Sequence, residues 1–240
     1  STSGTLAVTG TSTLTGNTTV GGTLGVTGNS TFSGDIIKST SGTSNFAAGV
    51  NAGNSITSGG NYNVCIGDEA GTALTTGDNN VAIGFEALTT EDANGFNTGV
   101  GYRALKTLNA GTDSYNTALG YQTGLSLTTG IQNVLLGATS GDALTDADYN
   151  IAIGVEALGS DTKGSKSVAI GYAALFDQNF TSSTDTHNTA VGYTAGTNIT
   201  TGVNNTLIGS LAGDALTDAD DNVAIGLFAL TTDTQGSRSV

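Results

Sequence analysis

The chain has 240 residues, including 37 glycines and no proline, methionine or tryptophan. Its six basic and twenty acidic side chains give a formal net charge of −14. This balance excludes nucleic acid and anionic membrane as expected partners, since their phosphates must be neutralised by Lys and Arg, and no apolar run approaches the ~18 residues of a membrane-spanning helix.

The first 34 residues follow a six-residue rule. Glycine stands at positions 10, 16, 22, 28 and 34, and an apolar residue stands two positions before each: Val8, Leu14, Val20, Val26 and Phe32. Five hexads make less than two turns of a triangular β-helix with three hexads per turn. We therefore expect three chains to contribute one hexad each to every layer of a short trimeric β-helical shaft. Residues 35–44 are predicted to be a junction.

From residue 45 to residue 240 the chain repeats one phrase, of which "NNVAIGFEAL" (Asn79–Leu88) is an example. A weaker copy, Asn45–Gly53, comes first. The last copy breaks off at Val240 and Ser1 is not an initiator, so we expect a segment of a longer protein. The phrase glycines recur mostly every 17 residues, at Gly67, Gly84, Gly101, Gly120, Gly137, Gly154, Gly171, Gly192, Gly209 and Gly226.

Each phrase predicts a short strand. The position after the Asn that directly precedes the strand (Ser167 in one copy) is Val, Ile or Thr, and two positions further on stands Ile, Val or Leu, an alternation typical of β-structure. Seventeen residues suit one coil of a β-solenoid, whose coils stack at about 4.8 Å into a rod of roughly 50 Å. The Asn suits a left-handed turn position and would stack into an amide ladder, while the glycine permits the bend after the strand. The sequence therefore predicts an all-β fold.

A longer period groups the coils in fours. "GDALTDAD" occurs at 141–148 and again at 213–220. The residue four positions after the phrase glycine is Gly in two successive coils and Leu in the next two, and this pattern repeats. The superunits span about 45–115, 116–187 and 188–240, the last truncated. The fourth coil of each complete superunit carries an insertion, which we expect to form a side loop. The candidate surface-contact residues are Lys106, Asn109, Tyr115, Phe176, Phe180 and His187.

The other side of each strand carries small or apolar residues rather than polar ones. Strands that are apolar on both faces are buried on both faces, so we expect this second face to pack against sister chains in a homotrimer. The predicted trimer-interface residues are Cys65, Ala82, Gly99, Ala118, Leu135, Ala152, Ala169, Ala190, Leu207 and Ala224.

Three copies, "SVAIGYAAL" (167–175), "NNVAIGFEAL" (79–88) and "DNVAIGLFAL" (221–230), resemble the head repeats of trimeric bacterial adhesins. Those heads form a left-handed β-roll around a threefold axis with slightly shorter coils. "NTAVGYTAG" (188–196) and "NTALGYQTG" (116–124) are similar to repeats of long marine phage tail-fibre proteins, which often precede an endosialidase-type chaperone domain. The resemblance covers roughly residues 45–240, and the hexads look like β-helical shafts of phage fibres.

The resemblance implies a left-handed β-roll-like solenoid in a homotrimeric fibre. We expect a non-enzymatic shaft or spacer of a phage tail fibre, located in the virion and extracellular, that holds a receptor-binding tip away from the particle. Its expected partners are copies of itself, other fibre components and a host-surface glycan or protein. The alternative is the stalk or head of a bacterial trimeric surface adhesin, located at the cell surface.

The residues offer little chemistry, and we predict no catalytic or cofactor-binding residue. "GVGYRA" (99–104) has the glycines of a dinucleotide loop but no crossover helix after it. "DADYN" and "DADDN" resemble the start of a calcium loop but lack its sixth-position glycine; their aspartates are either solvated turn residues or weak Ca²⁺ candidates: Asp146, Asp148, Asp218 and Asp220. His187, the only histidine, has no nucleophile pattern near it. Cys65 is the only cysteine, so no disulfide can form within one chain.

Three further interpretations concern surfaces and related folds. The aromatic residues that follow the phrase glycine form either a carbohydrate-stacking ladder or corner packing. Hexapeptide acyltransferases need many hexads and a histidine base, which this chain lacks. Threonine pairs such as Thr75–Thr76 and Thr128–Thr129 suggest ice binding, but they do not recur at every coil. The aromatic residues are Phe85, Tyr102, Tyr121, Tyr172 and Tyr193.

Overall fold

A computed structural model describes residues 41–239. Of the two units into which the chain divides, Ser1–Ile36 and Ile37–Val240, only the second contains described residues. The predicted hexad shaft at residues 1–34 and most of the predicted junction at residues 35–44 therefore lie outside them. The described residues contain thirteen strands and no helix.

Eleven three-residue strands, one in each coil, form a single parallel sheet. The two short strands β8 (Gly164–Ser165) and β10 (Thr184–Asp185) form a second parallel pair at the longest insertion. The strands of the large sheet are β1 (Phe46–Ala48), β2 (Val64–Ile66), β3 (Val81–Ile83), β4 (Thr98–Val100), β5 (Thr117–Leu119), β6 (Val134–Leu136), β7 (Ile151–Ile153), β9 (Val168–Ile170), β11 (Thr189–Val191), β12 (Thr206–Ile208) and β13 (Val223–Ile225).

Every strand pairs with the strand of the next coil at the equivalent residue, so that Ala82 lies between Cys65 and Gly99. Because the strands are parallel and one coil apart, they must be joined by a complete turn of the chain. The predicted all-β solenoid with coils of about 17 residues is therefore confirmed. Each described coil is bonded to its neighbours, as in other quasi-one-dimensional repeat folds, apart from one bond from Ser183 Oγ to Asp146 two coils away at 3.5 Å.

The predicted asparagine ladder runs through the described coils. The backbone N–H of Asn133 donates to Asn116 Oδ1 at 2.9 Å, and Asn133 Nδ2 donates to the carbonyl of Ala147 at 2.8 Å. The side chains are buried, so these bonds replace water. The left-handed residue is the one before the ladder asparagine, such as Tyr115 or Gln132, and not the asparagine itself.

The interior of the coil is filled by one chain alone. The middle residue of each strand points inward, where it meets leucines that lie four or seven residues after the phrase glycines, such as Leu74, Leu88 and Leu105, all fully buried.

This arrangement corrects the predicted trimer interface. Every residue assigned to it lies inside the coil of its own chain and cannot contact a sister chain. Small side chains occur there because the leucines already occupy the narrow interior: a Cβ on Gly99 would lie 3.2 Å from Leu88 Cγ. The residues concerned are Cys65, Ala82, Gly99, Ala118, Leu135, Ala152, Ala169, Ala190, Leu207 and Ala224.

The four-coil period arises because one large side chain in the interior occupies space beside two neighbouring coils. Leu135 fills the space beside two coils that have glycine four residues after the phrase glycine: a Cβ on Gly124 or Gly141 would lie 2.8 or 2.9 Å from its methyl groups. Leu207 does the same for the third superunit. In the first superunit the smaller Cys65 occupies this position, beside Gly53 and Gly71.

Cys65→Leu is therefore expected to stabilise the protein. Leucine is the residue that the equivalent coils use, so the free energy of unfolding should rise by about 0.5–2 kcal/mol in urea denaturation. The matched control is Ala82→Leu, in a coil that already holds Leu88. That variant should lose about 1–3 kcal/mol through overpacking. Equal destabilisation by both substitutions would contradict this account of the period.

Candidate self-association face and side loops

The first and third residues of each strand point away from the coil. We call these two columns, along the eleven strands of the large sheet, the strand face. Its third-position column is aliphatic throughout, from Ala48 to Ile225, and its first-position column contains Phe, Val, Ile and Thr. Neither column contains a charged residue in the described coils. Members such as Leu119 and Ile225 are 47% and 67% exposed.

Two further exposed columns border the strand face. The trailing edge is the residue after each phrase glycine and contains the five predicted aromatic residues. The leading edge is the left-handed residue before each ladder asparagine and includes Tyr62, Phe96, Tyr115 and Tyr149. These rings are between 37% and 60% exposed.

The trailing-edge rings stack on one another rather than against the core. Tyr102 lies between Phe85 and Tyr121, with ring centroids 5.5 and 5.2 Å apart, and Tyr172 stacks on Tyr193 at 5.3 Å. A sugar stacks on an open ring face, whereas in this arrangement neighbouring rings cover each other's faces. The stacks are thus a surface feature beside the strand face, and their geometry does not favour a carbohydrate ladder.

The strand face alone, three residues wide over eleven strands at about 4.8 Å, has an area of about 500 Å². Together with the two bordering columns, the surface is about six residues wide and on the order of 1,000 Å². Uncovered apolar patches on monomers are usually about 300–600 Å², and a stable interface needs about 800 Å² from each partner.

Charged side chains are concentrated away from the strand face. Glu86 accepts from Lys106 Nζ at 2.7 Å and from Arg103 Nε at 2.6 Å. The bond from Lys106, with that from Arg103, holds the pKa of Glu86 below its usual value, against a smaller opposing effect of desolvation. Arg103 also lies 5.0 Å from the centre of the Tyr102 ring.

The candidate surface-contact residues do not form one surface. Lys106 is engaged with Glu86, and Tyr115 stacks on Phe96 at the leading edge. Phe180 is only 8% exposed and therefore belongs to the packing under the second loop. Asn109, in the first loop, and His187, in a left-handed turn beside the second, are exposed, and Phe176 is half-buried.

A buried carboxylate anchors the second side loop, a role that the sequence analysis missed. Asp161 Oδ1 accepts from the backbone N–H groups of Gly164 and Phe180, each at 3.0 Å, and Oδ2 accepts from Gln178 Nε2 at 2.6 Å. Burial raises the pKa of the Asp161 carboxyl, and these bonds oppose the shift. The sequence does contain a signal for this role. Asp161 stands seven residues after its phrase glycine, where most other coils have a buried Leu or Ile.

The same site repairs the asparagine ladder where Ser167 interrupts it. Gln178 Oε1 accepts from Asn188 Nδ2 at 2.8 Å, the position where the ladder would otherwise supply an asparagine oxygen. Ser167 is hydrogen-bonded to Thr186 and to Gln178. The insertion therefore contributes a side chain to the axis of the solenoid as well as a surface loop.

Glu91 occupies the equivalent position in the first superunit, but Leu108 stands where Gln178 stands in the second. Its Oε1 accepts from Asn94, whereas Oε2 is buried without a hydrogen-bond partner within residues 41–239. Burial raises the pKa of Glu91, opposed by hydrogen bonds from Asn94 and Ala110.

The weak calcium candidates are used in turns. Asp148 and Asp220 accept from the backbone N–H groups of Ile131 and Val203 at 2.8 and 2.7 Å, while Asp146 lies 3.5 Å from Lys163 Nζ. Asp218 accepts from Thr217 Oγ1 at 3.2 Å. Between residues 41 and 239, no three His, Cys, Asp or Glu side chains are grouped as a metal site would require.

The first threonine of each pair considered for ice binding is also engaged. Thr75 Oγ1 donates to the carbonyl of Asp92 at 3.0 Å, and Thr128 Oγ1 donates to that of Thr145 at 3.1 Å. Because these hydroxyls bond the next coil, they do not form a free lattice of donors.

Comparison with known proteins adds no relative: no protein-family profile, no curated protein and no solved structure matches the chain. Across the described residues no helix has the length and apolarity needed to cross a membrane.

Proposed function

We propose that this chain is a structural shaft or spacer of a phage tail fibre, in which three parallel copies pack through their strand faces. The observation that carries the proposal is the strand face itself: it is uncharged and mostly apolar, and its residues are exposed or half-buried along the described solenoid. A single chain leaves this surface in water, although its interior is complete. Copies of the same chain supply a cover of matching length and periodicity.

The function that follows is mechanical. Backbone hydrogen bonds run along the rod axis from coil to coil, so a load along the axis is shared by many parallel bonds. The assembly would hold a receptor-binding tip away from the particle, bind other fibre components, and offer its side loops to a host-surface glycan or protein. The resemblance of "SVAIGYAAL" to adhesin head repeats favours the alternative, in which the chain is part of a bacterial trimeric surface adhesin.

The test is the mass in solution. Light scattering should give three times the 23.6 kDa of one chain. The double variant Leu136→Asp/Ile153→Asp, which places charge on the strand face, should abolish this species while keeping the β-rich circular dichroism spectrum. Burying an unpaired carboxylate is far more unfavourable than exposing it.

The matched control is Thr129→Asp/Thr201→Asp, which adds the same charge at two exposed positions away from the strand face. It should remain trimeric. A monomeric wild-type chain, or a strand-face variant that stays trimeric, would refute the packing. Detection of the chain by mass spectrometry in purified virions, as opposed to bacterial envelopes, distinguishes a phage fibre from a bacterial adhesin.

A further inference from the structure

The two edges of the strand face carry the same kind of side chain at two adjacent levels of the rod. At the level of β4 and β5 both edges are aromatic: Phe96 stacks on Tyr115 at 5.0 Å on the leading edge, and Tyr102 stacks on Tyr121 at 5.2 Å on the trailing edge. All four rings are exposed, by 37% to 52%.

Two other levels are small or polar on both edges: β6 with Gln132 and Ala138, and β12 with Asn204 and Ser210. At further levels the edges differ, as at β9 with Lys166 and Tyr172. Within one chain the two edges lie on opposite sides of a strand, and no ring contact joins the aromatic pair of one edge to that of the other. The aromatic character of both edges at β4 and β5 is therefore not the result of a contact between them within one chain.

Cyclic symmetry supplies a cause. When copies are related by rotation about an axis parallel to the rod, equivalent coils lie at equal heights, and the leading edge of one copy meets the trailing edge of the next. An antiparallel pair would reverse the order of heights and separate these levels. Aromatic pairs contribute attraction beyond that of their buried area, which favours one axial register when several act together.

Building on the three-copy packing proposed above, we propose that Tyr102 and Tyr121 of one copy pack against Phe96 and Tyr115 of the next. The four rings of each copy then form a closed aromatic belt around the fibre. This belt fixes the axial register that the uniform aliphatic columns leave undefined, because a shift by one coil would set Tyr121 opposite Gln132.

Cysteine cross-linking tests the belt. Tyr115→Cys/Tyr121→Cys, in a Cys65→Ala background, places two thiols on opposite edges of β5 in one chain. The three extended residues of β5 lie between them and alone span about 10 Å, whereas a disulfide needs Cα atoms within about 7 Å. Bridges can therefore form only between copies, and oxidation should give a closed trimer on a denaturing gel without reductant.

Tyr115→Cys/Tyr193→Cys is the matched control, since its thiols lie four coils apart along the axis and should give no closed trimer. A short bismaleimide linker repeats both experiments without the strict geometry of a disulfide. If light scattering shows a trimer and neither reagent links the same-level pair, the belt is wrong although the fibre packing stands. If the displaced pair links instead, the register is wrong. If no trimer forms, both proposals fail.

Discussion

Gly154→Ala is expected to prevent stable folding or to lower the free energy of unfolding by more than about 4 kcal/mol, the range of the most severe single substitutions. The added Cβ would lie 2.2 Å from the carbonyl oxygen of Gly171 and 2.6 Å from its carbonyl carbon. Those atoms belong to the backbone of the next coil and cannot move without breaking the sheet. The φ of Gly154, +135°, adds strain for any residue with a side chain.

Gly226→Ala separates the two causes. Gly226 has the same role and a φ of +125°, but within residues 41–239 no atom beyond its two chain neighbours lies within 4 Å of an added Cβ. Urea denaturation of both variants should show a loss at Gly226 of about 1–3 kcal/mol from backbone strain alone. Similar losses at Gly154 and Gly226 would mean that contact between coils is not the reason for the glycine column.

Asn133→Ala is expected to lower the free energy of unfolding by about 2–6 kcal/mol, because each of two buried groups left without a partner costs about 1–3 kcal/mol. Those groups are the backbone N–H of Asn150, which donates to Asn133 Oδ1 at 2.9 Å, and the carbonyl of Ala147. Thermal and urea unfolding followed by circular dichroism measure the loss. Asn54→Ala, at an exposed asparagine, should change the stability by less than about 0.5 kcal/mol.

Asn133→Ser adds a sharper comparison, because serine occurs naturally in the ladder at Ser167. There Gln178 Oε1 accepts from the side-chain amide of Asn188, whereas Leu144 occupies the equivalent place in the coil of Asn133. The serine variant should therefore lose nearly as much stability as the alanine variant. A fully stable Asn133→Ser protein would show that the ladder tolerates interruption without repair.

The sequence was sufficient to predict the solenoid because every coil repeats the same pattern of residue types, and each pattern favours the same local structure. A β-branched residue, a small residue, an aliphatic residue and a glycine recur in that order, and only a short strand followed by a bend accommodates them. The ladder asparagine was predictable for the same reason. The anchoring role of Asp161 was not, since a lone acidic residue in a polar chain is usually a solvated turn residue and its burial depends on the insertion folded over it.

By itself, the sequence determined the strand, its period and the stacking of equivalent residues. It could not determine which side of the strand lies inside. Both sides are apolar, and the alternation separates the two faces without showing which one faces the interior. Only the tertiary structure decided this. The leucines four and seven residues after the glycines occupy much of the narrow coil. The middle residue of the strand fills the rest, small in most coils and leucine only where the residue four after the glycine is itself glycine, and Val, Ile and Leu are left on the outer surface.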